Sequence, residues 1–148
     1  MVLTKAQVAS IQKNWTSVET DLQGYGNKLF LRYLEANPGD MHYFPKFANT
    51  PFGKLAYDAE FNKQTATVFE FLTQVVHHLG DIEKCNGMLR ERVRTHKPRE
   101  IHMAQFETLL DLMPRFLEEE AKATGATADA WRVCVATLMP AMRDEFKK

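Results

Sequence analysis

Apolar residues recur along the chain at steps of three and four, the spacing of helices that bury one face. Val8, Ile11, Trp15 and Val18 form the first row, and Thr4 with Gln7 three residues later predicts a capping box at its start. A second row holds Leu22, Tyr25, Leu29 and Tyr33, with Gly26, Phe30 and Leu34 interleaved. It is expected to stop at Asn37-Pro38-Gly39, because the residue before a proline is driven out of the helical region. Between Pro38 and Gly53, three prolines, two glycines and the aromatics Tyr43, Phe44, Phe47 and Phe52 predict a structured loop of short turns. A long helix is expected from about Lys54 to Leu79, closed by Gly80 as a left-handed cap, with Asp81 capping the next. That next helix carries Ile82, Cys85, Leu89, Val93 and His96, and Pro98 stops it. Two further rows, Phe106-Leu109-Leu110-Met113-Phe116 and Trp131-Cys134-Leu138-Met142-Phe146, contain Pro114 and Pro140, which are expected to kink or break them. No segment alternates like a strand, so the class is all-α, with six to eight helices.

Neither repeat, linker nor low-complexity stretch divides the 148 residues, which read as one domain spanning 1–148. The balance of 45% hydrophobic and 26% charged residues is that of a soluble globular chain. Nineteen basic and nineteen acidic side chains cancel, which argues against a protein that coats nucleic acid or an anionic membrane. Zero net charge permits subunit association without requiring it. No apolar run approaches the ~20 residues of a membrane span. Thr4, Lys5, Gln7 and Gln12 leave no room for a signal-peptide core, so a cytoplasmic location is expected. Cys85 and Cys134 are too few for a disulfide scaffold and read as reduced, apolar packing residues.

Two polar residues sit oddly in apolar rows. Gln64 interrupts the stripe Phe61, Gln64, Val68, Phe71 or Leu72, Val75. An unpaired buried amide costs about 1–3 kcal/mol, so Gln64 either has a partner inside or lies at a wet boundary. His96 ends its row just before Lys97-Pro98; by itself it fits a satisfied core residue or a favourable cation at a helix C-terminus as well as a ligand. His77 and His78 are adjacent and diverge, while His42 and His102 are isolated. No HExxH, Cys-x-x-Cys or His-x3-His pattern supports structural zinc, and no glycine-rich phosphate loop is present. Ser10 and Ser17 lack a nucleophile-elbow context, so hydrolase chemistry has no support.

Taken in order along the chain, these features resemble the globin family. Trp15 lies on the first helix and Pro38 opens a short turn. Tyr43-Phe44-Pro45-Lys46-Phe47 looks like the family's loop phenylalanines, and Lys63-Gln64-Thr65-Ala66-Thr67-Val68 resembles its distal-helix motif. Thr95-His96, then Ile101 and Phe106, is similar to the proximal segment of invertebrate globins, and Asp129-Ala130-Trp131 to the start of their last helix. The resemblance spans Leu3 to Phe146 and implies a globin fold around haem b (iron protoporphyrin IX). It implies iron on His96, Phe44 stacked on the ring with Phe47 beside it, and Val68, Ile101 and Phe106 as apolar contacts. Lys46, Lys63, Thr67 and Arg99 are implied as polar company for the propionates. Gln64 stands where the family more often has histidine, and Phe30 where a second-helix side chain overhangs the ligand. Arg92 stands one turn before His96, where globins mostly carry an apolar residue. Either Arg92 lays its stem along the porphyrin or the helix is rotated so that Val93 makes the contact.

The implied function is reversible dioxygen binding for intracellular storage or transport, with carbon monoxide and nitric oxide as further ligands. Neutral His96 would bind iron through one ring nitrogen and donate the other N–H to the Arg92 carbonyl or the Thr95 hydroxyl. Gln64 would hydrogen-bond the ligand, while Phe30 and Val68 keep its surroundings dry and autoxidation slow. The competing reading is an enzyme on the same fold, a nitric-oxide dioxygenase or a weak peroxidase. Glutamine cannot titrate, which disfavours peroxide cleavage, and nitric-oxide turnover would need a reductase partner. A sensor or a haem-free helical domain is a third class.

Overall fold

The computed structural model describes residues 3–96 and 103–148. Among them are six α-helices and two short 3-10 helices, with no strand. In order they are α1 (Lys5–Glu19), α2 (Leu22–Ala36), 3-10 helices Pro38–Tyr43 and Phe52–Tyr57, α3 (Ala59–His77), α4 (Ile82–His96), α5 (Met103–Glu120) and α6 (Ala126–Phe146). The Thr4/Gln7 capping box forms, and Asp21 caps α2 by accepting from the Gly24 amide. As expected, α2 gives way at Asn37 before Pro38.

Three expectations need correction. The helix expected over Lys54–Leu79 is two elements, because the Asp58 carboxylate accepts the amides of Glu60 (2.9 Å) and Phe61 (3.1 Å) and so starts α3 there. Thr50 donates its hydroxyl to the other Asp58 oxygen at 2.8 Å, tying the preceding loop to that cap. Gly80 is not a left-handed cap: α3 ends on His78 at φ −103°, and Gly125 is the positive-φ glycine among the described residues. Pro114 and Pro140 lie within unbroken helices. Each loses one backbone hydrogen bond, but the residues packed around them (Met113, Phe116 and Leu117; Leu138, Met139 and Met142) keep both helices docked. The Pro98 stop lies outside the described residues.

The main core joins α1, α3, α4, α5 and α6, with Leu29 of α2. Trp15, fully buried, stacks on Phe69 with ring centres 5.7 Å apart and leans on Trp131 at the same distance. Its indole N–H donates to Thr73 Oγ1 at 2.9 Å, so one polar atom in this apolar centre is matched. A smaller core, Phe30, Tyr33, Leu34, Phe47, Leu55 and Phe61, lies between α2, the 3-10 segment and the start of α3. There α2 crosses α3 closely: a Cβ on Gly26 would stand 3.1 Å from the Thr65 carbonyl oxygen. Thr65, with no exposure, shares hydrogen bonds with Gln23 (2.8 Å) and Asn27 (2.5 Å), and Asn27 donates to Asn62 at 2.7 Å. That network sets the rotation of α3, and therefore which of its residues face away from α2. At the other side, α4 is held to α6 by Arg94, whose Nε donates to the buried Glu145 carboxylate at 3.3 Å. No helix among the described residues is long and apolar enough to cross a membrane.

Candidate functional site

Helix α3 presents two apolar faces rather than the single row read from its sequence. Phe61, Thr65, Phe69, Thr73 and Val76 are buried, whereas Gln64, Val68, Phe71 and Leu72 are only partly covered and line a cavity of about 900 Å³. α4 contributes Leu89, Arg92, Thr95 and His96 to the same cavity. Phe30 and Tyr33 of α2, the Tyr43–Phe47 segment, and Phe106, Leu109 and Met113 of α5 complete the walls. A space of this size with mostly apolar walls and a few polar groups has the character of a site for a large planar or amphipathic cofactor.

His96 is the chemically distinctive wall residue. Its Nδ1 lies 2.7 Å from the Arg92 carbonyl oxygen and 3.2 Å from Thr95 Oγ1, and that hydroxyl donates to the same carbonyl at 3.0 Å. A carbonyl only accepts, so in the neutral ring Nδ1 carries the proton and Nε2 carries the lone pair, the tautomer of a metal ligand. The His96 ring meets Phe106 edge-to-face at 5.4 Å, which fixes its plane. Among the described residues no group of three or more His, Cys, Asp or Glu side chains could hold a bare metal ion. An imidazole in this tautomer on the wall of an apolar cavity could ligate a metal carried by an organic cofactor.

Gln64 belongs to a different helix, and among the described residues its amide has no hydrogen-bond partner. It is only partly buried, so the cavity, not the packed core, accommodates the polar group. Val68 follows one turn later on the same face. Phe30, 2% exposed, closes the region with edge-to-face contacts to Tyr33 (6.3 Å), Phe44 (6.2 Å) and Phe61 (6.5 Å). Phe44 lies parallel to Phe47, ring centres 5.3 Å apart and 12° from coplanar.

Around the rim, Lys46 is 3.9 Å from the Glu60 carboxylate, Lys63 is exposed, and Thr67 donates its hydroxyl to the Lys63 carbonyl at 2.8 Å. All three line the cavity. The choice left open on α4 has an answer: Arg92 lines the cavity with its guanidinium 4.3 Å above the Phe71 ring, while Val93 is fully buried in the main core and does not line it. α4 turns Val93 toward the other helices, which leaves Arg92 as the one of the pair on the cavity side. Arg99 and Ile101 lie outside the described residues. Cys85 and Cys134 are buried, and desolvation pushes their thiols up to about 11 and about 12, so both remain protonated packing groups.

Several wall residues escaped the sequence reading. Leu89 is two turns before His96 and Leu72 two turns after Gln64, so helical spacing from those anchors would have found both. Leu109 and Met113 continue the Phe106 stripe. Tyr33 had no such signal, since its place in the second row looked like any core position.

Residues 27–142 match the Globin family profile. The chain is 28% identical over 143 residues to a myoglobin of Pseudochaenichthys georgianus, an alignment covering 93% of this chain and 92% of that protein. It is 22% identical to a globin of Aplysia kurodai, covering 97% of each. In fold it superposes on the hexa-coordinate hemoglobin of Drosophila melanogaster with a TM-score of 0.88 at 17% identity, covering 95% of this chain and 93% of that one. The hemoglobin of the botfly Gasterophilus intestinalis gives a TM-score of 0.87 at 19% identity, covering 98% and 99%.

Proposed function

The chain belongs to the globin family, a family of haem-based oxygen binders, and on that premise we propose that it binds dioxygen reversibly for intracellular storage or transport. The proposed cofactor is haem b, seated in the cavity with its iron on His96. The observation that carries the reading is the pairing of two polar groups in one apolar space: an imidazole whose Nδ1 is tied back to Arg92, and the uncommitted amide of Gln64. Haem, when bound, would supply an iron atom able to take up a diatomic gas.

Everything else is work for the chain. The Arg92 carbonyl and Thr95 hydroxyl hold the ring of His96 in its metal-binding tautomer and make it a better donor. Phe44 and Phe47 on one side, with Phe106 on another, give a planar group apolar surfaces to lie against. Lys46, Lys63 and Thr67 are proposed to meet the propionates at the rim. Gln64 donates an amide N–H toward the outer atom of the ligand, which carries partial negative charge in dioxygen and much less in carbon monoxide. Phe30 and Val68 exclude water from that position, so the hydrogen bond forms in a low-dielectric setting.

Gln64→Leu is the direct test. Loss of one hydrogen bond to a charge-bearing acceptor, about 1.5–3 kcal/mol, should speed dioxygen release roughly 10–150-fold. Carbon monoxide release should change far less. Equal effects on both gases would remove Gln64 from the ligand's surroundings.

A further inference from the structure

We propose that Tyr33 and Asp40 form a proton-coupled electron-donor site, which carries oxidising equivalents off the cofactor when the haem-loaded protein meets hydrogen peroxide. The inference rests on the haem reading above. Tyr33 lines the cavity, is 2% exposed, and donates its phenol O–H to Asp40 Oδ2 at 2.5 Å. Among the described residues no other tyrosine has that combination. Tyr25 donates to the Glu120 backbone carbonyl and does not line the cavity, and Tyr57 is 88% exposed. Tyr43 lines the cavity, but the described residues give its hydroxyl no carboxylate partner.

Oxidising a buried phenol is costly by most routes. Removing an electron alone leaves a strongly acidic radical cation, which a buried site stabilises poorly. Removing the proton first is closed off here, because burial and the neighbouring Asp40 carboxylate push the Tyr33 phenol far above its ordinary range. The remaining route sends proton and electron away together, and that route needs a base already in hydrogen-bond contact with the hydroxyl. Asp40 is that base, held in the 3-10 helix Pro38–Tyr43, whose first turn it occupies. Asn37, just before that helix, returns to α2 by donating its side-chain amide to the Tyr33 carbonyl at 3.0 Å, so donor and base ride on one local unit.

Hydrogen peroxide takes up two electrons and two protons to give two molecules of water. One of those electrons is restored to the cofactor by Tyr33: the phenol O–H bond breaks, the proton moves to Asp40 Oδ2, and the electron crosses the cavity wall. A neutral tyrosyl radical beside a protonated Asp40 remains. Two equivalents of a one-electron soluble reductant of the ascorbate class close the balance. One electron returns to the Tyr33 radical, which takes its proton back from Asp40. The other meets the second oxidising equivalent directly, and the two protons that the reductants release are those taken up in the water. Phe30, edge-on to Tyr33 at 6.3 Å, and the buried Leu34 shield the radical from solvent. Gln64 cannot relay protons, so reaction with peroxide is slow; what the site determines is where the oxidising equivalent ends.

The test uses the haem-loaded ferric protein, mixed with hydrogen peroxide, freeze-quenched and examined by electron paramagnetic resonance. Ring-deuterated tyrosine identifies the radical as tyrosyl by narrowing its signal. The protein should give a tyrosyl signal that Tyr33→Phe largely abolishes, while Tyr57→Phe leaves it in place. Asp40→Asn keeps the phenol and removes the base, and should lower the radical yield several-fold. An undiminished signal in Tyr33→Phe overturns the assignment, and an undiminished signal in Asp40→Asn overturns the proton acceptor. A normal Soret band in each variant establishes that haem is seated, so failure of the radical site and failure of the haem reading give different results. Absence of the Soret band in the unmodified protein overturns both.

Discussion

Thr73→Val isolates a single buried hydrogen bond in the frame that holds the cavity. The side chains are nearly the same shape, so packing around position 73 is preserved while the acceptor for Trp15 disappears. Trp15 has no exposure and Thr73 is 7% exposed, so water cannot replace the lost partner. The Thr73 hydroxyl also donates to the Phe69 carbonyl at 2.7 Å, but that oxygen keeps its place in the α3 backbone ladder. The cost is therefore that of one buried N–H left unpaired, about 1–3 kcal/mol. With a urea slope of about 2 kcal/mol per molar for a chain of this size, the unfolding midpoint should fall by roughly 0.5–1.5 M. Because Thr73 does not line the cavity, cofactor affinity contributes equally to both proteins and cancels in the difference. Trp15→Phe alone costs stability through lost volume and stacking. Combined with Thr73→Val it should cost at least ~1 kcal/mol less than the two single losses added. A midpoint within error of the parent for Thr73→Val, or strict additivity in the cycle, would refute the reasoning.

Two other outcomes follow from the same geometry. Phe30→Ala should admit water beside Gln64 and raise the autoxidation rate of the oxygenated protein, with Gln64→Leu raising it further; a stopped-flow or slow-scan record showing an unchanged rate in both would contradict the dry, hydrogen-bonded pocket. Asp58 is held below the ordinary carboxylate range by the Thr50 hydroxyl and by the amides of Phe61 and Glu60. A lowered pKa means that the unfolded chain binds the extra proton first. The stabilisation is therefore complete above the ordinary carboxylate range and is lost as the pH falls through the folded value. Asp58→Asn keeps a capping side chain but removes this titration, so its acid-unfolding curve should be shallower on that limb than that of the parent.

The helices were legible in the sequence because their apolar spacing is strong, and because Thr4 and Asn37-Pro38 act through local contacts, whereas the Asp21 cap of α2 was not read. The errors fell where a distant or competing contact decides. Asp58 starts α3 with help from Thr50, a loop residue, while the Lys54 region reads as equally helical. Pro114 and Pro140 are tolerated because neighbouring helices hold their surroundings. Trp15 and Thr73 meet across 58 residues of chain, beyond any periodicity. For the site, Gln64 and His96 were visible as polar exceptions, Val68 as a helical neighbour of Gln64, and Phe106 as the start of its own apolar row. Arg92 against Val93 could not be settled by spacing, because they are adjacent and the rotation of α4 depends on its docking to α6 through Arg94 and Glu145. The Tyr33–Asp40 contact depends on the 3-10 turn that follows Pro38 and was invisible as a pattern.

The central claim is that His96 holds a haem iron in the space that Gln64 overlooks. The visible absorption spectrum of the haem-loaded protein, reduced under argon and then exposed to air and to carbon monoxide, tests it most directly. The account predicts a five-coordinate reduced spectrum with a strong Soret band that moves reversibly with each gas, and loss of that five-coordinate form in His96→Gly until imidazole is added. A reduced spectrum already showing two sharp visible bands, or one that His96→Gly leaves unchanged, would contradict it.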